Sequence, residues 1–164
     1  MSSEILLEFI DATNRAFGSI EDGIIGGAAL AAYGSTRATS DLDIIVPQSV
    51  AEVVEGHLLS KGMVRTAKGG IGYVASDGGC YGIDITSDRA ISQPFSASQD
   101  TQITARSKAR LANMSFLLNS KAYSYMTRIG PGMMEKKRND AADILFIIAY
   151  LKRQRTKVSQ KECR

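Results

Sequence analysis

From Ser3 to Phe17 the apolar positions Ile5, Leu6, Phe9, Ile10 and Phe17, with Thr13 between them, recur at helical spacing. With Ser2 or Ser3 as N-cap, the pattern predicts an amphipathic first helix. The short apolar run Gly23-Ile24-Ile25 then meets Gly26-Gly27 and the alanine-rich stretch Ala28 to Tyr33, which reads as strand, tight turn, helix. A polar loop from Gly34 to Ser40 leads into a strand over Asp41 to Val46 that Pro47 ends. A single helix is predicted from Gln48 to Lys61, closed by Gly62.

Short strands are expected at Met63 to Ala67, Ile71 to Ala75 and Tyr81 to Thr86, joined by the glycine turns Lys68-Gly69-Gly70 and Asp77-Gly78-Gly79. Ser87 to Gln102 lacks a hydrophobic period and reads as a surface loop or a strap. Helix is predicted again over Lys108 to Arg128, broken at Gly130-Pro131-Gly132 and resumed over Glu135 to Arg153, with Ala142, Ile144, Leu145, Ile148 and Leu151 as its buried stripe. The elements make an α/β (α+β) protein: a mixed sheet flanked by helices, with a C-terminal helical pair. One domain is expected over 1–155, its core at 1–107 and its C-terminal helices at 108–155, followed by a disordered tail at 156–164.

At 164 residues and 44% hydrophobic, the chain suits one globular domain with a real core. No apolar run is long enough to span a membrane. The N-terminal MSSEILLEFI has neither the positive lead nor the cleavage site of a secretory signal, so a cytoplasmic location is expected. Cys80 and Cys163 belong to no metal-binding or redox cluster and read as unpaired thiols. The only histidine, His57, has no second ligand nearby and reads as an ordinary boundary residue. From Glu135 to Arg164 nine Lys or Arg stand against four Asp or Glu, while the whole chain carries only +3. That basic segment suits a solvated helix face and tail better than a nucleic-acid surface.

The chemistry lies in Asp41-Leu42-Asp43. Alternation in a strand puts both carboxylates on one face. Like charges so placed repel, and a hard divalent cation with oxygen ligands relieves this best, which points to magnesium. Upstream, Gly26-Gly27 joins a strand to a helix, an arrangement that presents backbone N–H groups to a phosphate. Asp84, between Ile83 and Ile85, is a third acid inside an apolar strand, suited to metal ligation or to general-base work.

In this order the residues resemble the nucleotidyltransferases of the DNA polymerase beta superfamily, whose signature is a Gly-Gly or Gly-Ser turn, a helix and then DxD. The stretch from Gly26-Gly27-Ala28-Ala29-Leu30 through Tyr33-Gly34-Ser35-Thr36-Arg37-Ala38-Thr39-Ser40 to Asp41-Leu42-Asp43 is similar to the small branch that holds abortive-infection toxins and minimal nucleotidyltransferases. Leu117 to Lys121 and Arg138 to Ile144 resemble that branch's C-terminal segments, so the likeness runs from Ile24 to Leu151.

The resemblance implies that Asp41, Asp43 and Asp84 form an acidic triad for two magnesium ions. It also implies that Gly26 and Gly27, with Ser35 and Arg37, contact the nucleotide and that Lys121 approaches its phosphates. On the residues alone, Ser35 capping a turn, Arg37 pairing with an acid and Lys121 as a solvated helix residue stay open. Asp140 and Asp143 read as braces for Lys or Arg. The expected activity is transfer of a nucleoside monophosphate from an NTP to a hydroxyl of a protein, an RNA or a small molecule, with pyrophosphate released. An idle nucleotidyltransferase-like binding module, such as one half of a toxin–antitoxin pair, is the alternative, and a basic RNA-binding protein is a third reading. A homo-oligomer or a protein partner stays open.

Overall fold

The computed structural model describes residues 1–104 and 107–154; Cys163 and the expected tail at 156–164 lie outside the described residues. The chain forms two compact units, Met1–Ala112 and Asn113–Arg164. Among the described residues no helix is long and apolar enough to cross a membrane.

In the first unit, helix α1 (Ser3–Phe17) starts where the Ser2 hydroxyl accepts a hydrogen bond from the Ile5 N–H, as its sequence predicts. It buries Leu6, Phe9, Ile10, Thr13, Ala16 and Phe17 along one stripe. The sheet behind it has seven strands: β1 (Gly23–Ile25), β2 (Asp41–Val46), β3 (Val64–Arg65), β4 (Ile71–Val74), β5 (Cys80–Ser87), β6 (Thr101–Thr104) and β7 (Ser107–Ala112). Their order across the sheet is β3-β4-β5-β2-β1-β7-β6. The sheet is mixed, because β2 runs parallel to β5, and β1 parallel to β7, while the remaining neighbours are antiparallel.

One face of the sheet carries α1. Phe9 stacks on Tyr73 with ring centroids 5.5 Å apart and leans on Tyr81 at 6.2 Å. Tyr73 pairs with Tyr81, Ile71 with Ile83, and Ile83 with Leu42, so these side chains share that face. His57 serves the same packing, its ring Nε2 hydrogen-bonded to the Ala16 carbonyl at 2.8 Å. That is the ordinary role its isolation in the sequence suggests.

Several elements differ from the sequence pattern. The glycine pair is not a turn before a helix: α2 (Gly26–Ala32) begins at Gly26 itself. The helix expected over 48–61 is two, α3 (Gln48–Ala51) and α4 (Val54–Ser60). The tight bonds Val50 N–H to Pro47 and Val53 N–H to Val50 span three residues and turn the chain between them. Gly62 does close α4: Met63 N–H reaches Leu58 and Gly62 N–H reaches Leu59, with Gly62 at φ 93°. The segment expected to be loop holds α5 (Ala97–Asp100) and β6.

The start of the helix predicted at Lys108 is strand β7, in which Ser107, Ala109 and Leu111 are buried while Lys108 is exposed. Small residues blur that period of two. The burial of β7 is decided by parallel pairing with β1, a partner distant in sequence. Arg110 of β7 binds the carboxylate of Asp22 and the Ile20 carbonyl, which pins the chain just before β1. Burial pushes the Asp22 carboxyl above the ordinary range, and the Arg110 guanidinium opposes that rise.

In the second unit, α6 (Met114–Thr127) starts at Asn113, whose side chain accepts from the Phe116 N–H at 2.9 Å. It packs on α7 (Met134–Gln154) across the break at Gly130-Pro131-Gly132. The buried stripe of α7 is Asp140, Asp143, Ile147 and Leu151. Only Leu151 of the expected stripe is among them. Ile144 is half-buried and Ala142 exposed, while Leu145 is 69% and Ile148 50% exposed. The ionic contacts of the two aspartates, described below, set the inward face of the helix.

The hairpin β4–β5 is tied to α1 by Glu8, which accepts from the Tyr73 hydroxyl at 2.8 Å and from the Ser76 N–H at 2.9 Å. Asp77 in the turn accepts from the Gly79 N–H and the Tyr81 hydroxyl. Hydrogen bonds from Ser76 and Tyr73 hold the Glu8 carboxyl below its ordinary value, and those from Tyr81 and Gly79 do the same for Asp77. Depressed carboxyls add stability that is present above their unfolded values, 4.5 for Glu8 and 3.8 for Asp77, and is lost as pH falls through the folded values. The melting temperature should therefore drop as pH is lowered below about 4.5, and Glu8→Gln should flatten that drop while lowering the plateau at neutral pH. Identical acid limbs for Glu8→Gln and the parent protein would rule this tie out.

Candidate active site

The acids meet through the pairing of β2 with β5. The two strands run parallel in register, with Asp41 opposite Gly82 and Asp43 opposite Asp84. Residues paired across a sheet lie on the same face, so Asp41, Asp43 and Asp84 share the face opposite α1. Neighbouring strands are about 4.8 Å apart and alternate residues about 6.8 Å apart, so the three acids are near neighbours on that face. Asp41 and Asp43 are half-buried and Asp84 is exposed. Thr39 steadies the first of them: its hydroxyl donates to Asp41 Oδ1 and to the Asp41 carbonyl, each at 3.2 Å.

Gly26 holds the second. Asp43 pairs with Ile25 across β1 and β2, and its Oδ2 occupies the place where a Cβ on the next residue, Gly26, would stand. Gly26 also sits at φ 66°, a conformation that favours glycine. The glycine is thus needed twice, for the backbone and for room beside the carboxylate. Gly27 gives similar room to Arg37, whose guanidinium would be 2.8 Å from a Cβ there. The loop that carries Arg37 leaves α2 through Gly34 at φ 99°, with Ser35 N–H on Leu30. The Ser35 hydroxyl then accepts from the Arg37 N–H at 3.3 Å. Ser35 therefore shapes the turn that aims Arg37. A cavity of about 290 Å³ lies beside this loop, against the first turn of α1, and none of the three acids lines it.

The rest of the acid-bearing face is closed at one end. Gly23 pairs with Ile45, and Phe95 with Thr101 fills the place of a Gly23 side chain, at 2.9 Å and 3.0 Å from its Cβ position. The stretch between β5 and α5 is thus a strap over the far end of β1 and β2.

Lys121 is in the helical unit, where it bridges Asp140 at 3.3 Å and Asp143 at 2.9 Å. Arg128 completes the group on Asp140. The two aspartates brace cations, as their spacing suggests, and Lys121 is not among the residues that the first unit brings together. Sequence reasoning overlooked Thr39, which carries a faint signal, a hydroxyl two residues before Asp41.

Among the described residues no three His, Cys, Asp or Glu side chains form a group that could hold a metal ion. Magnesium, however, is commonly held by one or two carboxylates together with substrate phosphates and waters. Hard oxygen donors on an open face suit that mode, and Asp41 with Asp43 is the pair placed for it.

The fold has solved counterparts. An antigenic nucleotidyltransferase-like protein from Paracoccidioides brasiliensis superposes with a TM-score of 0.69 over 92% of this chain and 78% of its own, at 21% identity. ANT(2″)-Ia in complex with adenylyl-2″-tobramycin aligns over 93% of this chain and 99% of its own, at 18% identity and a TM-score of 0.44. No protein-family model and no curated protein matches the chain. The mixed seven-stranded sheet flanked by helices is thus a nucleotidyltransferase-like fold.

Two substitutions test the site's construction. Gly26→Ala should lower unfolding stability by about 1–3 kcal/mol in denaturant titrations, because it strains the backbone and displaces Asp43. Gly27→Ala should cost less, since the backbone there is not at positive φ and the closest contact is the end of the flexible Arg37 side chain, with Thr39 giving by a few tenths of an ångström. Equal costs would contradict this account. Lys121→Met leaves Asp140 and Asp143 buried with less counter-charge and should cost about 3–5 kcal/mol. A neutral result would leave Lys121 free of its bracing role.

Proposed function

We propose that the chain is a magnesium-dependent nucleotidyltransferase that moves a nucleoside monophosphate from an NTP to a hydroxyl acceptor and releases pyrophosphate. The observation that carries this reading is the register of β2 on β5, which gathers Asp41, Asp43 and Asp84 on one open face beside Gly26. The nucleotidyltransferase-like fold supports it by analogy.

Asp41 and Asp43 would hold magnesium, which when bound neutralises phosphate charge and lowers the barrier to pyrophosphate departure. Thr39 fixes the orientation of Asp41. The backbone at Gly26 and Gly27, free of side chains, lets the triphosphate approach on the β1 side, with Arg37 adding positive charge beside it. Asp84, on the β5 side, takes the proton from the acceptor hydroxyl. The acceptor oxygen forms a bond to the α-phosphorus, the bond from that phosphorus to the β-phosphate oxygen breaks, and pyrophosphate leaves with the electron pair. That no three acids, histidines or cysteines among the described residues form a group able to hold a metal ion favours a second reading, an idle module of the same fold.

The two readings part on binding. Raising magnesium in the presence of NTP should raise the melting temperature of the parent protein, and Asp41→Asn or Asp43→Asn should abolish the rise. Labelled transfer from an NTP panel should fall about 100- to 10,000-fold in Asp84→Asn while NTP affinity is kept. A parent protein that binds no NTP at millimolar magnesium sinks the enzyme reading; one that binds but never transfers is the idle module.

A further inference from the structure

Helix α7 is apolar on both of its sides over its second half. From Ala141 to Leu151 every side chain is apolar except Asp143 and the hydroxyl of Tyr150. A helix that is hydrophobic all round is ordinarily buried all round. Within the helical unit only one side is buried, where Ile147 and Leu151 face inward with Asp140 and Asp143 and α7 packs on α6. Ala142, Leu145, Ile148 and Ala149 lie on the other side and are exposed, as is Met134 at the start of the helix.

Positions 138, 142, 145, 149 and 152 advance by four and three residues in turn, the spacing of a seam that meets another helix. Along it stand Arg138, Ala142, Leu145, Ala149 and Lys152, with Ile148 beside them. The alanines on either side of Leu145 leave hollows for facing side chains and allow a second helix to come close.

The charges around the seam select its occupant. Asp140 and Asp143 are turned inward onto Lys121 and Arg128. Among the described residues of this unit Glu135 is then the one exposed acid, against Lys136, Arg138, Lys152 and Arg153. A second copy laid antiparallel about Leu145 brings Arg138 against Lys152, and one laid parallel sets each cation on itself, so like charges meet either way. Residues 155–164 hold one aliphatic side chain, Val158, with Arg155, Lys157, Lys161 and Arg164, and so match the seam neither in hydrophobicity nor in charge. A lipid surface draws its affinity from large buried apolar side chains, of which alanines supply little.

We propose that this seam is the docking site of an amphipathic helix of a partner protein, one whose apolar stripe is flanked by Glu or Asp. Large aliphatic side chains of that helix fill the hollows at Ala142 and Ala149, and its acids meet Arg138 and Lys152 at the two ends. The site is independent of the acid-bearing face and of the reaction proposed for it.

The test uses the full chain and a labelled synthetic peptide about three heptads long, with Leu at positions a and d and Glu at e and g, whose own charges keep it from pairing with itself. A control peptide carries Lys in place of Glu. In anisotropy titrations at low salt the acidic peptide should bind saturably, and the lysine peptide at least about tenfold more weakly. Leu145→Gln combined with Ile148→Gln should weaken the acidic peptide about tenfold or more at an unchanged melting temperature, because both side chains are exposed. Arg138→Gln combined with Lys152→Gln should erase the preference for the acidic peptide. No saturable binding, equal binding of the two peptides by the parent, or an affinity indifferent to both pairs of substitutions overturns the proposal. So does a parent that is dimeric in analytical ultracentrifugation and monomeric once Leu145 and Ile148 are replaced, which puts a second copy on the seam. A parent that sediments with phosphatidylglycerol vesicles only while Leu145 and Ile148 are present overturns it as well, in favour of a lipid surface.

Discussion

The parallel pairing of β2 with β5 is the constraint on which the rest of the first unit depends. It aligns six residue pairs, from Asp41 with Gly82 to Val46 with Ser87. A slip of one residue would turn one strand's side chains over relative to the other's. Asp84 would then point at α1 and its aromatic neighbours, and an uncompensated carboxylate there is costly. Burial of Leu42, Ile44 and Ile83 on the helix side therefore selects the register that puts three acids together on the other side. Core packing and site assembly are one event, and the repulsion among the acids is tolerated because the hydrophobic face outweighs it.

Around that pairing, glycine does two different jobs. At Gly26 it meets a left-handed backbone and yields its Cβ space to Asp43. At Gly27 and Gly72 it gives room to neighbours that pack in, the Arg37 guanidinium and the Thr66 methyl. A glycine whose absent side chain is replaced by protein is part of the packing.

The helical unit follows a different logic. Its long helix buries Asp140 and Asp143 and leaves Leu145 largely exposed. Lys121 and Arg128 come from α6 and its end to meet these carboxylates. A buried charge that lost its partners would cost more than an exposed leucine. Ionic contacts therefore rotate the helix away from the face that hydropathy alone would choose.

The sequence by itself determined the elements whose signals are local. The cap and stripe of α1, the glycine turns of the hairpins, Pro47 after β2 and the alternation of Asp41 with Asp43 all act through residues a few positions apart. Gly26, Gly27, Asp41 and Asp43 stood out as candidate site positions for that reason, with Asp84 as an acid inside an apolar strand. Tertiary structure decided what depends on distant partners: that Ser107 to Ala112 is a strand beside β1, that α7 turns its aspartates inward, and that Asp84 falls opposite Asp43. A register is a relation between two strands, and no single strand carries it.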